Sequence, residues 1–291
     1  MTLGLSFGNA LGLGNTSRNL IRNVRYWTPA DIDTLAWFDA SDDASNNVTN
    51  NLVTRWQDLS GNNNHLSPVG PGPNRNLFTR NSLKVNNFPG DRHMRRIQAN
   101  IPTGDQAWIL IAKAEVVDNT SDALIAHKGN WQLEGGANNK FQGRLLKNIL
   151  APTQLRFSNV EITDYSIFTI ILDQVNSLIT IKLNGTEIDS GVDLSPGVLP
   201  NQDLLIMANR GESQFPDGKM AEIVSVGSVD PAIIEVVEGY LSHKWEVDLP
   251  VDHPHSAEPP SVVQIQATEF LTDENGRVIN DINGNPVIVQ G

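Results

Sequence analysis

The chain has 291 residues, 39% hydrophobic and 19% charged, a globular composition that excludes an intrinsically disordered protein. Its formal net charge of -12 argues against nucleic-acid binding, which needs basic patches that neutralise phosphates. The absence of cysteine excludes disulfides, thiolate metal sites and a cysteine nucleophile, and fits assembly in a reducing cytoplasm. In chain order, residues 1–25 mix Gly, Asn, Leu and Arg without sustained periodicity and read as an N-terminal arm. Its Leu3, Leu5, Phe7, Leu11 and Leu13 alternate with Gly and small polar residues and need a surface to cover them. The arm lacks the positive segment and continuous apolar core of a secretory signal, and no stretch of the chain approaches the roughly 20 apolar residues that span a bilayer.

The folded domain is expected over residues 26–250, opening at Tyr26-Trp27-Thr28-Pro29. Short β-like runs separated by Gly, Pro and Asn follow: Leu35 to Asp39, Leu52 to Gln57, Ala107 to Val117, Ile167 to Leu172, Ser177 to Leu183, Asp203 to Ala208 and Lys219 to Val226. In the third run Trp108, Leu110, Ala112 and Ala114 share one parity, and in the fifth Ile179, Ile181 and Leu183 oppose Thr180 and Lys182. Asn184-Gly185 then supplies the two positive-φ positions of a type I′ hairpin turn. One helix breaks the pattern. Asp230 suits its N-cap, Pro231 its first position, and Ile233, Ile234, Val237, Leu241 and Trp245 form an apolar face that ends before Pro250. The fold expected is therefore all-β, a sandwich of two antiparallel sheets with one C-terminal flanking helix. Residues 251–260, with His253-Pro254-His255 and Pro259-Pro260, read as a linker. Residues 261–291 read as a β-hairpin tail with Asn-Gly turns at Asn275-Gly276 and Asn283-Gly284, each followed by Val-Ile.

Three segments carry a family resemblance. They are Trp56-Gln57-Asp58-Leu59-Ser60-Gly61-Asn62-Asn63-Asn64-His65-Leu66; Asp217-Gly218-Lys219-Met220-Ala221-Glu222-Ile223; and Val237-Glu238-Gly239-Tyr240-Leu241-Ser242-His243-Lys244-Trp245, continuing to Leu249-Pro250 and His253-Pro254. Together, over residues 26–254, they resemble the LamG-like, concanavalin A-like jelly-roll domains found in virion structural proteins of tailed phages, including marine and cyanobacterial phages. The resemblance implies a non-enzymatic virion protein assembled in the host cytoplasm. Its expected position is the capsid surface, as a head decoration docked on the major capsid protein and other virion proteins through the arm and tail, and homo-oligomeric in the particle. The alternative it leaves open is a tail or fibre module that recognises host glycan. The chain shows no heptad repeat of the kind a trimeric fibre would carry. The first segment has a local physical reading beside this: Asp58 before Ser60-Gly61-Asn62 suits a tight turn with side-chain-to-backbone hydrogen bonds.

Chemistry is sparse. Glycoside hydrolysis needs two carboxylates flanking the scissile bond, and the retaining glucanases of this superfamily present them as Glu-x-Asp-x-x-Glu. The nearest match, Glu246-Val247-Asp248, has Val251 in the third place and follows a helix; Glu115 with Asp118 and Glu161 with Asp164 have the wrong spacing. No Gly-x-Ser-x-Gly elbow or phosphate loop occurs. Calcium needs several oxygen ligands, and Asp39, Asp42 and Asp43, with Asp58 from the neighbouring turn, are the candidates. Sugar binding would use an exposed aromatic beside amides: Trp131 with Asn130 and Gln132, or Trp27, with the segment Ser60 to Asn76 as a rim. His243, His253 and His255 read as ordinary exposed histidines, and Arg92, Arg95 and Arg96 beside His93 as a solvated loop.

Overall fold

The structure is a computed structural model, and it describes residues 20–77, 81–116, 123–128, 131–136, 140–145, 153–156, 164–192, 202–209, 211–212, 215–267, 269–270 and 288–289. Two units emerge, residues 27–260 and residues 1–26 with 261–291. The arm's alternating leucines and the tail's two Asn-Gly turns lie outside the described residues.

The first unit holds two antiparallel sheets among its described residues. The larger has ten strands. Across it run Thr186–Val192, Leu178–Leu183, Ser166–Asp173, Gln106–Val116, Asp217–Val226, Lys84–Phe88, Asn74–Leu77, Leu52–Trp56 and Asn46–Thr49. Asp217–Val226 is shared: its first half pairs with Lys84–Phe88 and its second half with Thr34–Asp39, on the same edge. The expected hairpin turn closes Leu178–Leu183 onto Thr186–Val192, with Asn184 and Gly185 at φ 48° and 78°. The smaller sheet has seven strands, ordered Thr153–Arg156, Lys140–Leu145, Trp131–Gly136, Ala123–His127, Leu204–Ile206, His93–Arg96 and Ser67–Val69.

The core lies between the sheets. Phe38, Trp56, Phe88, Trp108, Leu110, Phe168, Ile170, Ile179 and Ile181 come from the large sheet and Met94, Ile125, Trp131, Leu133 and Ile206 from the small one. Trp108 and Trp131 meet across the gap with ring centroids 5.2 Å apart. The parity read for Trp108, Leu110 and Ala112 is thus the core face. Ile109 and Ile111, on the other face, are fully buried too, because that face is covered.

The cover is the helix α1, Pro231–Trp245, which packs over Gln106–Val116 and Ser166–Asp173. Asp230 caps it by accepting from the backbone N of Ala232 at 3.0 Å, and Pro231 occupies its first turn. It ends at Glu246, which adopts a left-handed conformation and donates from its backbone N to Ser242 O. Among the described residues no helix is long and apolar enough to cross a membrane.

Residues 251–260 are not a free linker. His253 N donates to Pro250 O and Ser256 N to His253 O, so the segment turns, and His253 is buried. His255 lies against the helix so closely that a Cβ on Gly239 would meet the His255 Cβ at 2.4 Å. Composition marked the prolines here as a spacer, but their fixed φ also suits a close-packed turn.

In the second unit Leu20–Tyr26 pairs antiparallel with Ser261–Ala267, from Leu20 opposite Ala267 to Tyr26 opposite Ser261, and Glu269–Phe270 pairs with Ile288–Val289.

His127, at the end of Ala123–His127, is fully buried, and burial pushes its imidazole down from the ordinary 6.5 to about 4. Below 6.5 the unfolded chain takes up a proton that the folded chain refuses until about pH 4. The resulting loss, up to roughly 3 kcal/mol, is expected as a fall in urea midpoint between those pH values and a shallower fall in His127→Gln.

Candidate functional site

The three segments that carry the family resemblance meet around one strand, Thr34–Asp39. Asp58 fixes the first. Its Oδ1 accepts from Trp37 N and Ser60 N, each at 3.0 Å, and its Oδ2 from Asn64 N at 2.9 Å. Asn62 and Asn64 donate back to the carbonyls of Thr34 and Leu35. Trp56 and Leu66 bridge on either side, fully buried. This segment is a tied-down turn, as its local reading expected.

The second and third segments meet at Glu222. Its carboxylate is wholly buried on the outer face of the large sheet. Oε1 accepts from Trp37 Nε1 at 2.8 Å and from the Tyr240 hydroxyl at 3.0 Å. Oε2 accepts from Lys244 Nζ at 2.6 Å and Trp245 Nε1 at 2.7 Å. Lys244 Nζ also donates to Asp39 Oδ2 at 2.6 Å. Burial holds the Glu222 carboxyl above the usual range, against the pull of Lys244. Burial pushes the Lys244 ammonium down, but Glu222 and Asp39 outweigh it and the net shift is up. Tyr240, whose ring meets Trp27 edge-on at 5.8 Å, is held far up by burial and by Glu222.

One turn earlier, Glu238 repeats the device. It accepts from Thr169 Oγ1 and Lys182 Nζ, each at 2.7 Å, and lies 3.3 Å from His253 Nε2. Burial raises its carboxyl, yet the bonds from His253, Lys182 and Thr169 win and leave it below its usual value. The Glu-Gly-Tyr-Leu-Ser-His-Lys-Trp run is therefore the underside of the helix: Ser242 Oγ donates to Val247 O, and His243 Nε2 lies 2.9 Å from His255 O.

A second arrangement, beyond the end of Thr34–Asp39, is open to solvent. Along Lys84–Phe88 the inner-face row passes from Phe88 in the core, through buried Asn86, to half-exposed Lys84. There the sheet carries a depression of about 430 Å³ lined by Asp43, Asn46, Asn51, Arg75, Asn76 and Lys84, with exposed Val48 and Leu77 at its sides. Asp43 is its hub, accepting from Lys84 Nζ at 2.5 Å and Arg75 Nη2 at 2.9 Å. Hydrogen bonds from Lys84 first and Arg75 second hold its carboxyl below the usual range. Arg75 is pinned from behind by the Ala40 carbonyl, and Asn46 by its amide bonds to Asp39 O and Asp42 O and by Asn86. Asn50 and Asn51 form the hairpin turn at its rim, at φ 51° and 64°.

The structure relocates the expected site residues. Trp131 is fully buried between Trp108 and His127 and cannot offer a ring face to a sugar; Gln132 beside it is also buried, and Asn130 lies outside the described residues. Trp27 is buried against Tyr240. The four aspartates proposed for calcium do not converge: among the described residues no group of three acidic or histidine side chains could hold a metal. Asp39 faces Lys244 and Ser41, Asp42 caps Ala44 N, Asp43 pairs with Lys84 and Arg75, and Asp58 is taken up by backbone N–H groups. His253 is a buried partner of Glu238 rather than an exposed histidine. Arg92 donates to Gly72 O and Asn74, and Arg95 to Glu212, so these two arginines of the basic cluster are bonded within the domain. The expected rim segment does contribute, through Arg75 and Asn76. Asn46 and Asn51 have one sequence signal, the density of asparagine from Asn46 to Asn51, and Lys84 has none.

The fold is thus an all-β sandwich of two antiparallel sheets with one flanking helix. No family model matches the chain, and no curated protein matches it. Solved structures share its architecture. The binding domain of botulinum neurotoxin DC in complex with SialylT superposes with a TM-score of 0.54 at 13% identity, over 87% of this chain and 56% of that one. The same toxin's binding domain in complex with rat synaptotagmin II gives 0.53 at 12%, over 72% and 52%. Domain 4 of AbnA, a GH43 extracellular arabinanase from Geobacillus stearothermophilus, in complex with arabinotriose, gives 0.52 at 15%, over 69% of this chain and 95% of that domain. This chain spans about half the length of the neurotoxin binding domains it matches.

Removing one partner of a buried ion pair strands the other. Lys182→Met, leaving Glu238 buried, is expected to cost about 3–5 kcal/mol in urea unfolding, and the double variant with Glu238→Gln to recover part of that.

Proposed function

We propose that the protein is a non-enzymatic, carbohydrate-binding surface module that takes glycan in the depression around Asp43, Arg75, Asn76 and Lys84. The depression itself carries the reading. It is a concave site that sets fixed amide and charged groups between two apolar side chains, Val48 and Leu77. Arg75 and buried Asn46 are bonded into the floor of the site, while Lys84 and Asp43 stand open to a ligand and hold each other in place. Support also comes from the company the fold keeps. Among the structures that share it are a neurotoxin binding domain in complex with SialylT and an arabinanase domain in complex with arabinotriose, and the cell entry of botulinum neurotoxin type C depends on interaction with two ganglioside molecules.

The test is a glycan array followed by titration calorimetry, with sialylated and arabino-oligosaccharides included. Asn76→Ala and Lys84→Ala are each expected to weaken binding about threefold to tenfold, the worth of one hydrogen bond, with the thermal unfolding nearly unchanged. No glycan bound, or binding indifferent to both variants, defeats the reading. No release of reducing ends is expected on prolonged incubation with a bound glycan.

A second reading concerns where the module sits, and the ribbon favours it. Leu20–Tyr26 and Ser261–Ala267 form a two-stranded sheet. Such a ribbon is marginal alone, and its outer edges invite pairing with another chain. We infer that the arm and tail dock the module on a virion surface, on capsid or other virion proteins, in line with the resemblance of residues 26–254 to phage virion domains. Deleting residues 1–25 or 261–291 is expected to leave sandwich unfolding nearly unchanged and to weaken incorporation into particles. Normal incorporation of both truncated forms refutes the docking role.

A further inference from the structure

The cluster of Asp39, Glu222 and Lys244 holds more than an ion pair needs. Lys244 Nζ lies 2.6 Å from Asp39 Oδ2 and 2.6 Å from Glu222 Oε2. The other oxygen of Asp39, Oδ1, accepts from Ser41 N at 2.8 Å and from Ser41 Oγ at 2.6 Å. An amine, a carboxyl carbon, a second carboxylate touching that amine, and a pair of donors on the oxygen that does not face it are the parts of an acyl-transfer site. We propose that Lys244 and Asp39 condense into an intramolecular isopeptide bond, with Glu222 carrying the protons.

The step balances within the three side chains. Glu222 Oε2 takes a proton from the Lys244 ammonium along their hydrogen bond. Glu222 relays that proton to Oδ2 of Asp39, so the group attacked is a neutral acid rather than a carboxylate. The neutral Nζ attacks Cγ, which the short bond to Oδ2 places about 3–3.5 Å away, a near-attack separation. Negative charge gathers on Oδ1, where the two Ser41 donors already point. The nitrogen then gives up a second proton, which Glu222 carries to Oδ2. The Cγ–Oδ2 bond breaks, water leaves, and an Nζ–Cγ amide remains. Both hydrogens of the water come from the lysine, and Glu222 ends as it began. No oxidant, metal or activated donor is required.

Two features drive the reaction forward. The fold holds amine and carboxyl together, and effective molarities of about 10⁵–10⁸ M for such oriented pairs offset the ordinary preference for hydrolysis in water. The site is also nearly dry. Glu222 is fully buried between Trp37, Tyr240 and Trp245, while the side chains of Asp39 and Lys244 keep 9% and 19% exposure, enough for water to leave. The carboxyl of Glu222, which burial raises, is suited to hold a proton in transit.

The bond would join the strand Thr34–Asp39 to the last turn of α1, which no disulfide can do in a chain without cysteine. The experiment is intact-mass spectrometry of the purified full-length chain under denaturing conditions, followed by proteolysis and tandem sequencing. The expected result is a mass lower than the sequence mass by one water, and a branched peptide joining Asp39 to Lys244. Lys244→Arg and Glu222→Gln are expected at full sequence mass. A folded wild-type chain at full mass overturns the proposal. So does a water loss that maps elsewhere, for instance to a succinimide at Asp217-Gly218, or that persists in Glu222→Gln. Should neither variant fold, the presence or absence of the wild-type branched peptide still decides.

Discussion

Glu222 lies on the outer face of the large sheet with no contact to solvent, and a buried carboxylate without partners costs several kcal/mol. It has four donors, and they come from two places in the chain: Trp37 from the early strand, and Tyr240, Lys244 and Trp245 from the helix. Each can reach it in only one arrangement. The helix must lie on the outer face, in one rotation and one axial position, or two charges, one indole N–H and one phenol lose their bonds together. Trp37 is tied in turn, through its backbone, to Asp58. The polar groups thus set the register of an interface whose area is supplied by Ile109, Ile111, Val224, Val237 and Leu241.

This explains why the most distinctive stretches of sequence are taken up by packing. Glu238, Gly239, Tyr240, Lys244 and Trp245 are the docking face of α1. The depression around Asp43 uses a plainer set, asparagines and one ion-paired triad, presented where the inner face of the sheet runs out of core. A rigid scaffold with its charges internally satisfied leaves the neighbouring strand ends free to vary, which is how sandwiches commonly carry recognition.

Much of the fold was legible. Strands with one buried face declared themselves by alternation, as Leu178–Leu183 does, and the turn at Asn184-Gly185 and the cap at Asp230-Pro231 needed no tertiary information. Lys84–Phe88 was not legible, because its inner row changes from Phe88 to Asn86 to Lys84 and reads as a polar loop. Nor was Ser67–Val69, three residues held only by a neighbour. The site misled for a related reason. A tryptophan between asparagine and glutamine looks exposed, yet Trp131 sits opposite Trp108, and only the pairing of two distant strands reveals it. The carboxylates Asp39, Asp42 and Asp43 cluster in sequence, with Asp58 on a neighbouring turn, but strand and turn geometry sends each to a different partner.

The chain enters and leaves the sandwich side by side, with Trp27 N donating to Pro260 O at 2.8 Å. Everything between those residues is closed on itself, so to a surrounding polypeptide the whole body is equivalent to a short loop. A gene segment encoding it can be moved into a surface turn of an unrelated protein without asking the recipient to bridge any distance. Portability of that kind is a property of where the two chain ends meet, and it gives a lineage the means to build new proteins by transplantation rather than by redesign.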